Sequence, residues 1–184
     1  MPILGVIASA ITGNLNVNSY ESIMTATVST AVGYVEFTSI PSTFTHLQIR
    51  AIADTTAGDV SIFARFNGDT GSNYSWHTLY TDGGGSAYSD YNGVSSTSYT
   101  SFSRGGNASG VFSASVIDIL DYKDTNKYKT LRSFTGKDNN GSGIIWLSSG
   151  SWRNTNAITS ITITPDSGNL KTYTQFALYG IKGS

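Results

Sequence analysis

The chain has 184 residues, the size of one domain with at most a short arm, which argues against a multidomain enzyme. Its 11 basic and 12 acidic residues give a net charge of −1, and charged residues make up only 12% of the sequence, about half the usual share. The basic residues are scattered, with their densest group at Lys123, Lys127, Lys129 and Arg132, so the clustered cations that neutralise nucleic-acid phosphates are not supplied and no nucleic-acid partner is expected.

Polarity comes instead from 27 Ser, 23 Thr, 13 Asn and 20 Gly. Hydrophobic residues at 39% and aromatics at 12% still suffice for a buried core. With no Cys there is no disulfide framework or thiolate chemistry, and stability must come from core, hydrogen-bond ladders or assembly. No apolar run reaches the roughly 20 residues of a membrane helix, so no membrane insertion is expected. The apolar start, Pro2 to Ile11, lacks the basic n-region of a signal peptide and reads as part of the mature chain.

In chain order, apolar residues recur with period two in short runs bounded by turn residues, the pattern of half-buried strands. Met24 to Val28 and Tyr34 to Phe37 come first, the second ending where Ile40-Pro41-Ser42 must turn. Leu47, Ile49 and Ala51 then alternate with Gln48, Arg50 and Ile52, and Ile62, Ala64 and Phe66 share one face of the next run. Further strands are expected at 76–80, 112–120, 128–134, 144–147, 158–164 and 174–181. Asp121 to Lys129 is too polar for a packed helix and reads as a turn. About ten short strands with Gly-rich turns define an all-β, two-sheet antiparallel β-sandwich. A jelly-roll-like form is expected, with an N-terminal arm at residues 1–20, a single sandwich domain at 21–184, and long variable loops at 81–110 around Gly83-Gly84-Gly85 and Gly105-Gly106.

Catalytic chemistry is sparsely supplied. His46 and His77 each lie in or beside a strand and outside any nucleophile or zinc motif. Only two Glu exist, and most Asp fall in turns, where Asx hydrogen bonding explains them. Asp118 interrupts an apolar strand and is expected to pair with a backbone amide or with Arg132. The oxygen-rich loop Asn67 to Asn73 does not match a Ca²⁺ loop and reads as a tight hairpin turn. Asn140-Gly141 between Phe134 and Ile144 is a stronger hairpin signal. No catalytic residue, cofactor or metal site is expected. The distinctive surplus is aromatic: Tyr74, Trp76, Tyr88, Tyr91 and Tyr99 bracket the central loops. They are candidates for contact with a glycan or a protein partner, against the plainer alternative of an aromatic-rich core.

Several strings together resemble a family of small virion proteins of tailed bacteriophages: MPILGVIAS at the start, FTSIPSTFTHLQIRA at 37–51, FNGDTGSNYSWH at 66–77, IDILDYKDTNKYKTLR at 117–132 and FALYGIKG at 176–183. The resemblance spans nearly the whole chain apart from residues 81–110. It implies a non-enzymatic, all-β structural protein on the virion surface, made in the host cytoplasm. The capsid decoration or head-fibre role is favoured over a tail adhesin for host glycan because no anchor or shaft is present, and a glycan-cleaving enzyme is the distant alternative. The expected partners are the major capsid protein or other virion subunits, in a homotrimer, with Ile3, Leu4, Val6, Ile7 and Ile11 forming the attachment arm and a host surface glycan as the alternative target.

Overall fold

The computed structural model describes residues 19–106 and 110–182. Twelve strands are formed: β1 (Tyr20–Thr27), β2 (Val35–Phe37), β3 (His46–Ala53), β4 (Ser61–Phe66), β5 (Tyr74–Thr81), β6 (Tyr88–Ser96), β7 (Tyr99–Arg104), β8 (Ser113–Leu120), β9 (Lys129–Asp138), β10 (Gly143–Trp152), β11 (Ile161–Pro165) and β12 (Gln175–Ile181). There is no helix among the described residues. All pairings are antiparallel, in an eight-stranded sheet ordered β1-β12-β3-β8-β9-β10-β5-β6 and a four-stranded sheet ordered β2-β11-β4-β7. The expected two-sheet sandwich is therefore present, with an eight-and-four division of strands. Only β5–β6, β8–β9 and β9–β10 are hairpins; every other connection passes from one sheet to the other.

Alternation builds the core. β3 buries Leu47, Ile49, Ala51 and Ala53 and turns Arg50 and Ile52 outward, while β4 and β11 send Ile62, Phe66, Ile161 and Ile163 inward from the small sheet. Asn140 and Gly141 hold φ of 60° and 97°, the two left-handed residues of a type I′ turn. Asn139 and Ser142 close that turn with a 2.8 Å backbone bond, as the sequence anticipated.

Two expectations need correction. Residues 81–110 are not one long loop, because β6 pairs with β5 and β7 pairs with β4. Their Ser, Thr and Gly content imitates a loop, yet their backbone groups join ladders and Tyr99 packs in the core. The segment Asn67 to Asn73 is not a hairpin either, since β4 and β5 belong to different sheets. It is a crossover pinned by Asp69, which accepts from Gly71 N at 2.8 Å, from Asn73 Nδ2 at 2.9 Å and from Trp152 Nε1 at 2.8 Å. Burial pushes the Asp69 carboxyl up, but these donors outweigh it and hold the group below its ordinary value.

Candidate interaction surface

The five aromatic candidates do not form one site. Tyr74 and Tyr99 are fully buried and Trp76 is 9% exposed, which corrects their expected place at an exposed surface. The two phenols find partners inside, whereas the buried Trp76 Nε1 has none among the described residues. Tyr74 OH accepts Phe66 N–H at 3.0 Å and donates to Asp69 O at 3.2 Å; burial pushes its phenol up to about 12. Tyr99 OH donates to Ser148 Oγ at 3.1 Å and lies 3.4 Å from Ser133 Oγ, and burial raises its pKa too. Tyr88 and Tyr91 are exposed at 41% and 71%, but three residues apart they stand on opposite faces of β6. Tyr88 stacks on Tyr80 at 5.3 Å, and Tyr91 stacks on His77 at 5.7 Å. Ile3, Leu4, Val6, Ile7 and Ile11 lie outside the described residues.

The charged candidates are structural. Asp118 faces Arg132 across β8 and β9 and accepts its Nε and Nη2 at 3.1 Å, while its other oxygen takes Gln48 Nε2 at 2.8 Å. His46 Nδ1 accepts the Asp121 amide at 2.9 Å. The basic group noted in the sequence is occupied within the chain: Lys123 Nζ reaches Ser42 O at 3.1 Å, Lys127 Nζ lies 2.5 Å from Asp121, and fully buried Lys129 donates to the carbonyls of Asp124, Lys127 and Thr155. Burial pulls the Lys129 ammonium below its ordinary value. Among the described residues, no three His, Asp or Glu side chains gather closely enough to hold a metal ion.

What sequence reasoning missed is the outer face of the large sheet. Cross-strand register aligns Val116 with Phe134, Phe134 with Leu147, and Leu147 with Leu79. These four side chains form a row across β8, β9, β10 and β5, about 14 Å long at the usual strand spacing. The adjacent row holds Ile52, Ala114, Gly136 and Ile145 in the same register. Leu79, Val116, Phe134, Leu147, Ile52 and Ile145 are between 40% and 54% exposed. Together they leave about 500 Å² of apolar side chain uncovered, near the upper end of the largest patch on a typical monomer.

The second row carries no charge, and the first ends at Arg50, which pairs with Val116. The next row, Gln48, Asp118, Arg132, Ser149 and His77, forms a polar border in which Gln48, Asp118 and Arg132 bind one another. Arg50 Nε joins it through Gln48 Oε1 at 3.2 Å, and its guanidinium lies 5.5 and 5.3 Å from the Tyr20 and Tyr179 ring centres. Beside Ile145 the face opens into a hollow of about 720 Å³ lined by Thr81, Phe112, Gly136, Asp138 and Ile144. An apolar centre with a polar rim is the anatomy of a protein contact surface. The sequence signal was the unbroken run Ile144-Ile145-Trp146-Leu147, which puts apolar groups on both faces of one strand.

No protein-family model matches the chain, and no curated protein matches it.

Proposed function

We propose that this chain is a non-catalytic assembly protein, a structural subunit carried on the surface of a tailed-bacteriophage particle as a capsid decoration or head-fibre component. The observation that carries the assembly reading is the uncovered apolar face at Val116, Phe134, Leu147 and Leu79. A soluble monomer gains nothing from such a face, and a subunit buries it. The charge-poor surface and the intrachain use of the basic residues agree with a protein whose partners are proteins. The phage assignment rests on the sequence resemblance. The glycan-adhesin alternative keeps only Tyr88 and Tyr91 of its five rings, on opposite faces of one strand, and no observation favours it.

Immunogold labelling of purified particles tests the assignment. Label over the heads is expected; label confined to tail tips moves the protein to the adhesin role, and particles without label overturn the virion reading.

A further inference from the structure

We infer that the outer face of the eight-stranded sheet is a self-association surface on which two copies of the chain stack face to face. The inference rests on reading that face as an assembly surface and names its occupant as a second copy. Four features select that occupant.

The first is area. Two copies stacked through Leu79, Val116, Phe134, Leu147, Ile52 and Ile145 remove about 1,000 Å² from solvent through these side chains alone, where specific interfaces begin. The second is charge. The six apolar positions contain no ionisable group, and Arg50, which closes the first row beside Val116, is already held by Gln48 and by the Tyr20 and Tyr179 rings, so stacking of the six leaves no bare charge at their centre. The rim offers both signs, Asp118 against Arg132 and Arg50, rather than the single sign that selects an oppositely charged partner. At a net charge of −1, two copies repel each other weakly.

The third is shape. The patch is four strands broad, and two copies of one sheet carry the same twist, the condition for aligned sheet-on-sheet packing about 10 Å apart. The fourth is the mismatch of the nearest rival within the chain. The apolar residues Ile3, Leu4, Val6, Ile7 and Ile11 do not alternate, so the segment lacks the period-two pattern that would set a single apolar side against a sheet. A shared patch used by both copies is an isologous, two-fold contact, so the unit inferred is a pair in place of the three-fold assembly the sequence suggested.

Sedimentation of the full chain over a hundredfold concentration range tests the pairing. The expected result is a dimer that dissociates on dilution. The Phe134→Lys and Leu147→Lys variants should sediment as monomers with unchanged circular dichroism, whereas Thr162→Lys on the small sheet should still pair. Should either lysine variant fail to fold, the milder Leu79→Ser with Ile145→Ser serves in its place. A wild-type chain that stays monomeric, or a dimer that survives all face variants, overturns the pairing. Binding to purified particles separates the two levels of the account. If the wild type is monomeric and Phe134→Lys abolishes particle binding, the assembly reading stands with a different occupant. If Phe134→Lys affects neither readout, both fall. A dimer lost on deletion of residues 2–11 but kept in the face variants assigns the contact to the arm and overturns the pairing.

Discussion

Strands β8, β9, β10 and β5 present two faces that invert the usual pattern. Their inner face, beneath β7, carries the buried hydroxyls Ser115, Ser133, Thr135, Ser148 and Thr78, while their outer face carries Val116, Phe134, Leu147 and Leu79. The inner hydroxyls are tolerated because each is matched. Ser103 of β7 meets Ser115 at 2.8 Å, Ser115 meets Thr135 at 2.8 Å, and Tyr99 reaches over Gly150 to Ser148 and Ser133. Small side chains on both sheets let them approach closely enough for these bonds; Cα atoms of β7 come within 8 Å of those in β8, β9, β10 and β5, against the usual 10 Å or so between sheets. At one end, Lys137 is buried with its ammonium 2.7 Å from Asp59, which also takes Arg104 at 2.8 Å. Burial pushes the Asp59 carboxyl up, and the two cations more than reverse this, leaving it below its ordinary value. The comparison teaches that polarity does not decide which side of a sheet is inside. Satisfaction does: hydroxyls with partners can be core, and apolar groups without partners mark a surface waiting for one.

Removing Tyr99 should break the inner face most severely. Tyr99→Ala opens a cavity under β7 and removes the phenol that bonds Ser148 and Ser133, for an expected loss of about 3–5 kcal/mol in urea unfolding. Gly150→Ala comes next, because a Cβ there would stand 2.2 Å from Tyr99 Cε2 in a closed environment; about 1–3 kcal/mol of overpacking is expected.

Acid should act on the interior as well. Asp59 and Asp69 are both held below the ordinary 3.8. A carboxyl more acidic in the folded chain than in the unfolded one contributes its full stability above its unfolded value and loses it as pH falls through the depressed one. Thermal unfolding should therefore be insensitive to these groups at neutral pH and decline below about pH 4. Asp69→Asn should be less stable at pH 7 and show a gentler acid decline; an unchanged acid slope would remove Asp69 from the account. On the outer face, Phe134→Ser and Leu147→Ser, measured at concentrations that keep the chain monomeric, should change stability by no more than about 0.5 kcal/mol. A larger loss would mean that these residues already pack within their own subunit.

Part of this arrangement was legible in the sequence. The alternation of Leu47 to Ala53, the Asn140-Gly141 turn and the pairing of Asp118 with Arg132 each depend on local pattern or on a short separation along the chain. The placement of Tyr99 was not legible, because its partners Ser133 and Ser148 come from strands 34 and 49 residues away and its neighbours Ser98, Ser101 and Ser103 imitate a loop. The crossover at Asn67 to Asn73 has the composition of a hairpin turn; only the assignment of β4 and β5 to different sheets separates the two. The outer row was hidden for a related reason. Val116, Phe134, Leu147 and Leu79 come one from each of four strands, and register alone makes them neighbours.

Because the chain contains no Cys, one introduced thiol reports on one position, and Leu147→Cys is the most direct probe of whether the outer face is covered. Its rate of maleimide labelling should be compared between the assembled form and the dilute, monomeric chain, with Tyr173→Cys, at a position 77% exposed, as the reference. The account predicts at least tenfold protection of Leu147→Cys on assembly and none at Tyr173→Cys. Equal rates for Leu147→Cys in the two forms would contradict it, leaving the apolar face open to water in the state where it should be buried.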